Sequence, residues 1–220
     1  MDELEVRRAV REHYGECARG VCCGGPAESH EDLGVGDTIG VAAPQRGEVV
    51  VDLGSGAGQD VFTAAALVGP EGRAFGVDAT PEMVHGARET ARIRGLTNVE
   101  FRLGEIEHLP VESGSAHVIV SDCVINLSPD KTQVFREAFR VLRAGGRLVL
   151  SDVVAERPLL ESVREDARAW AACIAGAVGE GDYHTMLRDA GFVDIETVDR
   201  GEPSQPPLRA AVIRARKASS

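Results

Sequence analysis

The chain of 220 residues reads as an α/β protein built on a doubly wound, mostly parallel seven-stranded sheet with an antiparallel C-terminal hairpin. Three observations predict this. Short β-branched runs alternate with helix-period segments through the middle of the chain. The strand runs, such as EVVVDL and HVIVSD, are continuously apolar, as burial on both faces of a parallel sheet requires. The last two strand-like segments follow one another with no helix between them, so they form a hairpin at an edge.

In chain order, residues 2–16 predict a helix with charge on most faces and Leu4, Val6, Val10 and Tyr14 as scattered apolar points. Residues 20–46 read as loop, punctuated by Gly20, Gly24, Gly25, Pro26, Gly34, Gly36, Gly40 and Pro44. Strands are expected at 48–53, 73–78, 99–104, 117–122 and 147–154, and a helix at 58–68. Residues 80–95 form a helix that begins with Thr80 as N-cap and Pro81 at the first position, and closes at Gly95. The segment from Ser128 is a further helix, with Ser128 as N-cap, Pro129 next and Gly145 as its stop. LLESVREDARAWAACIAGA reads as one long helix, and residues 182–191 as a shorter one. Residues 193–201 and 208–217 are the closing strands. Two parts are expected: an N-terminal helix and cysteine-bearing loop over 1–46, and a ligand-binding domain over 47–220 with a covering helix at 160–177.

Composition narrows the partners. There are 24 basic and 35 acidic residues, a formal net charge of −11. Such a surface repels phosphate backbones and anionic lipids, so neither nucleic acid nor membrane is expected to bind. The start, MDELEVRRAVREHYG, has no apolar core of a signal peptide, and no segment approaches a membrane span. A cytoplasmic location is expected. Five cysteines in such a chain suggest reactive thiols and not a disulfide framework.

Between the first strand and its helix lies VVVDLGSGAGQD. A glycine loop there lets a ligand approach the backbone at a helix N-terminus. Gly54, Gly56 and Gly58 give G-x-G-x-G, and Gln59 follows where a dinucleotide fingerprint would continue toward its third glycine, so a nicotinamide site is disfavoured. Asp52 precedes the loop, and Asp78 ends the second strand 20 residues after Gly58, a position suited to a ribose diol.

Cys123 stands where the fourth strand runs out, at the end of the sheet where doubly wound folds bind ligands. Cys173 lies beyond the fifth strand, and the two thiols can converge on one pocket. As bases, carboxylates or histidine would be commoner. Thiolates are soft donors and suit a thiophilic centre. The plainer reading of each cysteine is a small buried hydrophobe, and of Cys22 and Cys23 an exposed pair. Cys17 has no assigned role. His13, Cys17, Cys22 and His30 match no standard zinc spacing.

The D-x-G-x-G-x-G pattern, with this strand order, resembles class I S-adenosylmethionine-dependent methyltransferases, which share a Rossmann-like fold. The resemblance implies S-adenosyl-L-methionine as cofactor. Asp52, Gly54, Ser55, Gly56 and Gly58 would face its methionine part. Asp78 would hold the ribose, with Thr80 and Met83 beside it. Gly104, Glu105 and Ile106 would read the adenine, and Asp122 and Val124 would complete the pocket.

More specific segments, NVEFRLGEIEHLPV, SDCVINLSPDKTQVFREAFRVLRAGGRLVLSDVV and CIAGA, resemble the arsenite methyltransferases over most of residues 5–200. That resemblance implies that Cys123 and Cys173 bind trivalent arsenic and that Cys22 and Cys23 take it up or supply a third thiol. It also implies reduced glutathione or thioredoxin as thiol partners. The chain departs from the family in LGVGD, where Val35 stands in place of a usual cysteine, and at Asp122, where asparagine is usual. With two core thiols, methylarsenite is the expected preference over arsenite. The rival expectations are a methyltransferase for another small acceptor, such as a quinone or amine, and a non-catalytic metalloid-binding protein.

Overall fold

In the computed structural model, which describes residues 1–20, 36–201 and 207–219, the strands are β1 (Val49–Leu53), β2 (Arg73–Asp78), β3 (Val99–Leu103), β4 (Ala116–Asp122), β5 (Leu142–Ala155), β6 (Val193–Arg200) and β7 (Leu208–Arg216). They form one sheet in the order β3-β2-β1-β4-β5-β7-β6. The first five are mutually parallel. β7 is antiparallel to both β5 and β6. The order turns back at β1–β4, so a crevice opens at the carboxyl ends of those two strands.

The continuous apolar runs have the expected cause. Leu53, Ile119 and Leu150 face one layer, with Phe135 and Tyr183. Val50, Val118, Val120 and Val149 face the other, with Ala64 and Val68. Burying each such branched side chain contributes about 1.5–3 kcal/mol.

The helices are α1 (Glu3–Ala18), α2 (Thr38–Ala42), α3 (Gln59–Val68), α4 (Pro81–Ile93), α5 (Lys131–Val141), α6 (Glu161–Arg164), α7 (Ala167–Ala171) and α8 (Glu180–Asp189). A reciprocal cap starts α1: Asp2 Oδ1 accepts from the Glu5 N–H at 2.8 Å, and Glu5 Oε2 accepts from the Asp2 N–H at 2.9 Å. This helix lies across α4 and α7, above the carboxyl ends of the strands.

Four expectations need correction. The segment read as pure loop contains α2, because the Asp37 side chain accepts from the Gly40 N–H at 2.7 Å and starts a turn. The cap of α5 is Asp130, whose carboxylate accepts from the Gln133 N–H at 2.9 Å. Ser128 instead donates to buried Glu107 at 2.6 Å, after a 3-10 turn at Ile125–Leu127. Nor does α5 run to Gly145. It ends at Val141, and fully buried Leu142 opens β5 by pairing with Ala116.

The largest correction concerns 160–177, which is not one helix. Asp166 caps a new start by accepting from the Arg168 N–H at 2.9 Å, and α7 ends at Ala171. Cys173 therefore lies in a tight turn beyond a helix. A side chain at Gly176 would put its Cβ 1.9 Å from the main-chain oxygen of Asn126, which shows how closely this turn is pressed onto the 3-10 turn after β4.

Candidate active site

A cavity of about 280 Å³ opens where β1, β2 and β4 end, and α1 covers it. Gly54 and Gly56 bring backbone to its wall. Gly54 has φ +71°, and a Cβ there would lie 2.3 Å from Val124. A Cβ at Gly56 would meet nothing within 4 Å, so its open side is room for a ligand. Asp78 Oδ2 accepts from the Gly56 N–H at 2.9 Å, and Oδ1 from the Thr80 N–H at 2.8 Å. One carboxylate thus ties the glycine loop to the start of α4 and keeps lone pairs for a ligand.

Thr80 and Met83 line the cavity near Asp78, as do Glu105 and Ile106 after β3. Asp122, Cys123 and Val124 close it at the end of β4. Four residues singled out in the sequence lie behind the wall. Asp52 is buried in the sheet, and Ser55 turns toward β2, where a Cβ at Gly76 would come 2.5 Å from its hydroxyl. Gly58 gives way to Phe101, 2.5 Å from where its Cβ would be, and Gly104 to the Pro110 ring at 2.8 Å. These two glycines serve packing.

Buried acid groups in and behind the wall act on one another. Burial pushes the Asp122 carboxyl up to about 7, helped by Asp60 and Asp152. Burial raises Asp52 well above the usual carboxylate range, with Asp60, Asp122 and Asp78 adding to it. Asp122 Oδ1 is buried with no hydrogen-bond partner within the described protein. An unmet acceptor among carboxylates is a place for a cationic ligand.

The two candidate cysteines meet beside this cavity. Cys123 and Cys173 are each 2% exposed and share an apolar cluster with Val153, Ala177 and Leu208. Neither is in a disulfide. The Cys173 thiol donates to the Cys123 main-chain oxygen at 2.8 Å. Both backbones are left-handed, at φ 51° and φ 60°. That conformation costs a residue with a Cβ about 1–3 kcal/mol, and it persists where the surroundings over-determine it. Cys17, by contrast, is disulfide-bonded, which departs from the expectation that the cysteines stand outside disulfides. Cys22, Cys23 and Val35 lie outside the described residues, as does His30. Among the described residues no three His, Cys, Asp or Glu side chains are grouped to hold a metal ion.

Several site residues were missed from the sequence. Tyr14, on α1, lines the cavity, with its hydroxyl 3.9 Å from Cys173 Sγ and donating to the Ala171 oxygen at 3.4 Å. Burial, then the nearby thiols, holds its phenol well above its ordinary value, so it stays a neutral donor. Arg7 pairs with Glu107 at 2.9 Å and Glu105 at 3.3 Å, and Arg11 also pairs with Glu105. The signal was present as spacing: Arg7 with Arg11, and Val10 with Tyr14, are each four apart on a helix. Lys131 is buried, and burial lowers its ammonium to about 8; it donates to the Ser128 oxygen at 3.0 Å and lies 5.7 Å from the Trp170 ring centre.

Strand order, glycine loop and a carboxylate ending β2 together define a class I methyltransferase domain. Consistently, residues 44–191 match the family described as Methyltransferase domain. The arsenite methyltransferase of Halobacterium salinarum is 48% identical over 173 residues, covering 79% of this chain and 44% of that protein. That of Aquipseudomonas alcaligenes is 44% identical, covering 73% and 49%. The chain thus spans about half the length of the curated relatives it matches. The crystal structure of CrArsM, an arsenic(III) S-adenosylmethionine methyltransferase from Chlamydomonas reinhardtii, superposes with a TM-score of 0.66 at 33% identity, covering 96% of this chain and 73% of that one. The chain belongs to the arsenic(III) S-adenosylmethionine methyltransferase family.

Proposed function

We propose that the chain methylates thiol-bound trivalent arsenic with S-adenosyl-L-methionine. The observation that carries this reading is the contact of the Cys173 thiol with Cys123, at the edge of a cavity that begins at the glycine loop. The residues present fit the cofactor. Asp78, already oriented by two backbone N–H groups, has lone pairs for a ribose diol. The open acceptor on Asp122, backed by Asp52, suits a cation. When bound, the cofactor supplies an electrophilic methyl on a sulfonium.

The chain's own groups then position and desolvate. Cys123 and Cys173 bind the arsenic as thiolates and leave its lone pair free. That lone pair carries no proton, so no general base is needed to free it. Alignment of an acceptor with a methyl supplies up to about 7–11 kcal/mol in ideal intramolecular cases.

Methylarsenite is the favoured substrate in this proposal. It keeps two exchangeable positions, which two core thiols satisfy, and Val35 stands where the family's further core cysteine is usual. Cys22 or Cys23 would be the third donor for arsenite. Reduced glutathione or thioredoxin would deliver the substrate and keep the thiols reduced, in the cytoplasm. No helix among the described residues is long and apolar enough to cross a membrane.

The test is to incubate the reduced protein with cofactor and either arsenite or methylarsenite, and to separate the arsenic species by chromatography. Dimethylated arsenic from methylarsenite, with little product from arsenite, is the expected result. Equal turnover of both would remove the two-thiol preference, and no methylated product from either would overturn the arsenic assignment.

A further inference from the structure

Asn126 lies in the 3-10 turn that follows Cys123 and is fully buried. Every polar group of its side chain is used. Its amide Nδ2 donates to the Val153 oxygen at 2.7 Å and to the Cys173 oxygen at 3.3 Å. Its Oδ1 lies 2.9 Å from the Tyr183 hydroxyl, which shares its one proton between this oxygen and Asp152 Oδ2 at 3.1 Å, and its main-chain N–H donates to Asp152 Oδ2 at 3.0 Å. The orientation is fixed: reversed, the amide would turn its own carbonyl toward two others. An aspartate would do the same with a charge, and a leucine would leave two buried carbonyls unpaired. The turn carrying Cys173 also rests on this residue's main chain, at the place where Gly176 has no room for a Cβ. Asn126 is not part of the cavity wall.

We infer that Asn126 is a positioning residue that sets the spacing of the two substrate thiols. It sits three positions after Cys123 and holds the main chain of Cys173, so it ties both left-handed turns to the end of the sheet. Strained turns stay put only when neighbours fix them, and this side chain is such a fixed point. With the tie in place, two sulfurs can meet one arsenic atom. Without it, each thiol remains but the pair loses its spacing. The inference rests on the two-thiol reading above.

The test uses phenylarsine oxide, which needs two thiols for tight capture, and iodoacetamide, which needs one. The full chain is used with Cys17→Ser, Cys22→Ser and Cys23→Ser, so that only Cys123 and Cys173 respond. Asn126→Ala is expected to weaken capture about tenfold or more, and Tyr183→Phe, which preserves packing and removes the hydroxyl shared by Asn126 Oδ1 and Asp152, about threefold. Alkylation of each thiol should not slow, and cofactor affinity should hold. Capture by Tyr183→Phe and Asn126→Ala equal to that of the parent chain would overturn the positioning role, whatever happens to thermal stability. Should Asn126→Ala fail to fold, Tyr183→Phe decides alone. Parent capture no tighter than that of Cys173→Ser would overturn the two-thiol reading and this inference with it.

Discussion

The Cys173 thiol donates to the main-chain oxygen of Cys123 across 2.8 Å, and both residues hold backbones that favour glycine. Two candidate ligands are therefore pinned to each other through one sulfur and one carbonyl before any substrate arrives.

A stability inversion follows. At ordinary buried sites glycine is less stable than alanine, because it gains unfolded freedom and loses a methyl. At position 173 the left-handed backbone reverses this, since alanine keeps the strain that glycine escapes. Cys173→Gly should be about 1 kcal/mol more stable than Cys173→Ala in urea unfolding. Both should lose arsenic capture.

Asp78 should govern cofactor affinity. Asp78→Ala removes the ribose acceptor and frees both the Gly56 and Thr80 N–H groups, so calorimetry should show a loss of about a hundredfold. Asp78→Asn keeps the size and should lose about tenfold.

Stability of the ligand-free chain should respond to pH through Asp122. Its folded value, about 7, lies above that of an unfolded aspartate. The folded state then binds more protons than the unfolded one between about pH 4 and 7, so this group's contribution is full at the acid end and is lost as pH rises through 7. Asp122→Asn removes the titration. Between pH 5 and 8 its melting temperature should fall less than that of the parent chain, and an identical slope for the two would exclude Asp122 as the source.

Arg7 should hold the cover in place. It bridges α1 to Glu105 and Glu107, and Glu107 is buried. Arg7→Ala leaves that buried carboxylate short of its cation, at a cost of about 1–3 kcal/mol. Faster proteolysis within α1, with the remainder of the chain intact, is the expected outcome by mass spectrometry.

The sheet was legible because its cause is local. Runs such as VVVDL and HVIVSD must be buried on both faces, and the parallel, doubly wound class showed up as alternation with helices. Gly54, Gly56 and Asp78 were legible for the same reason, as they act through spacing along the chain. What failed was tertiary. The expected helix breaks at Asp166 and again after Ala171, and the turn that carries Cys173 rests on Asn126, 47 residues earlier, a contact that no periodicity within ARAWAACIAGA records. Ser128 looked like a cap but was claimed by Glu107, and the capping role moved two residues on to Asp130. Tyr14 and Arg7 were visible only as spacing on an otherwise charged helix, and their importance comes from where that helix lands.

In the proposed reaction, the unpartnered acceptor on Asp122 would distinguish fresh cofactor from spent. In the proposed reaction the ligand arrives with a cationic sulfur and departs as a neutral thioether. Carboxyl groups that resist ionisation alone give up protons when a cation enters and take them back once the charge has gone. On that proposal the grip of the wall would relax with the event it supports, so spent cofactor should be the weaker binder and a poor inhibitor of the next turnover.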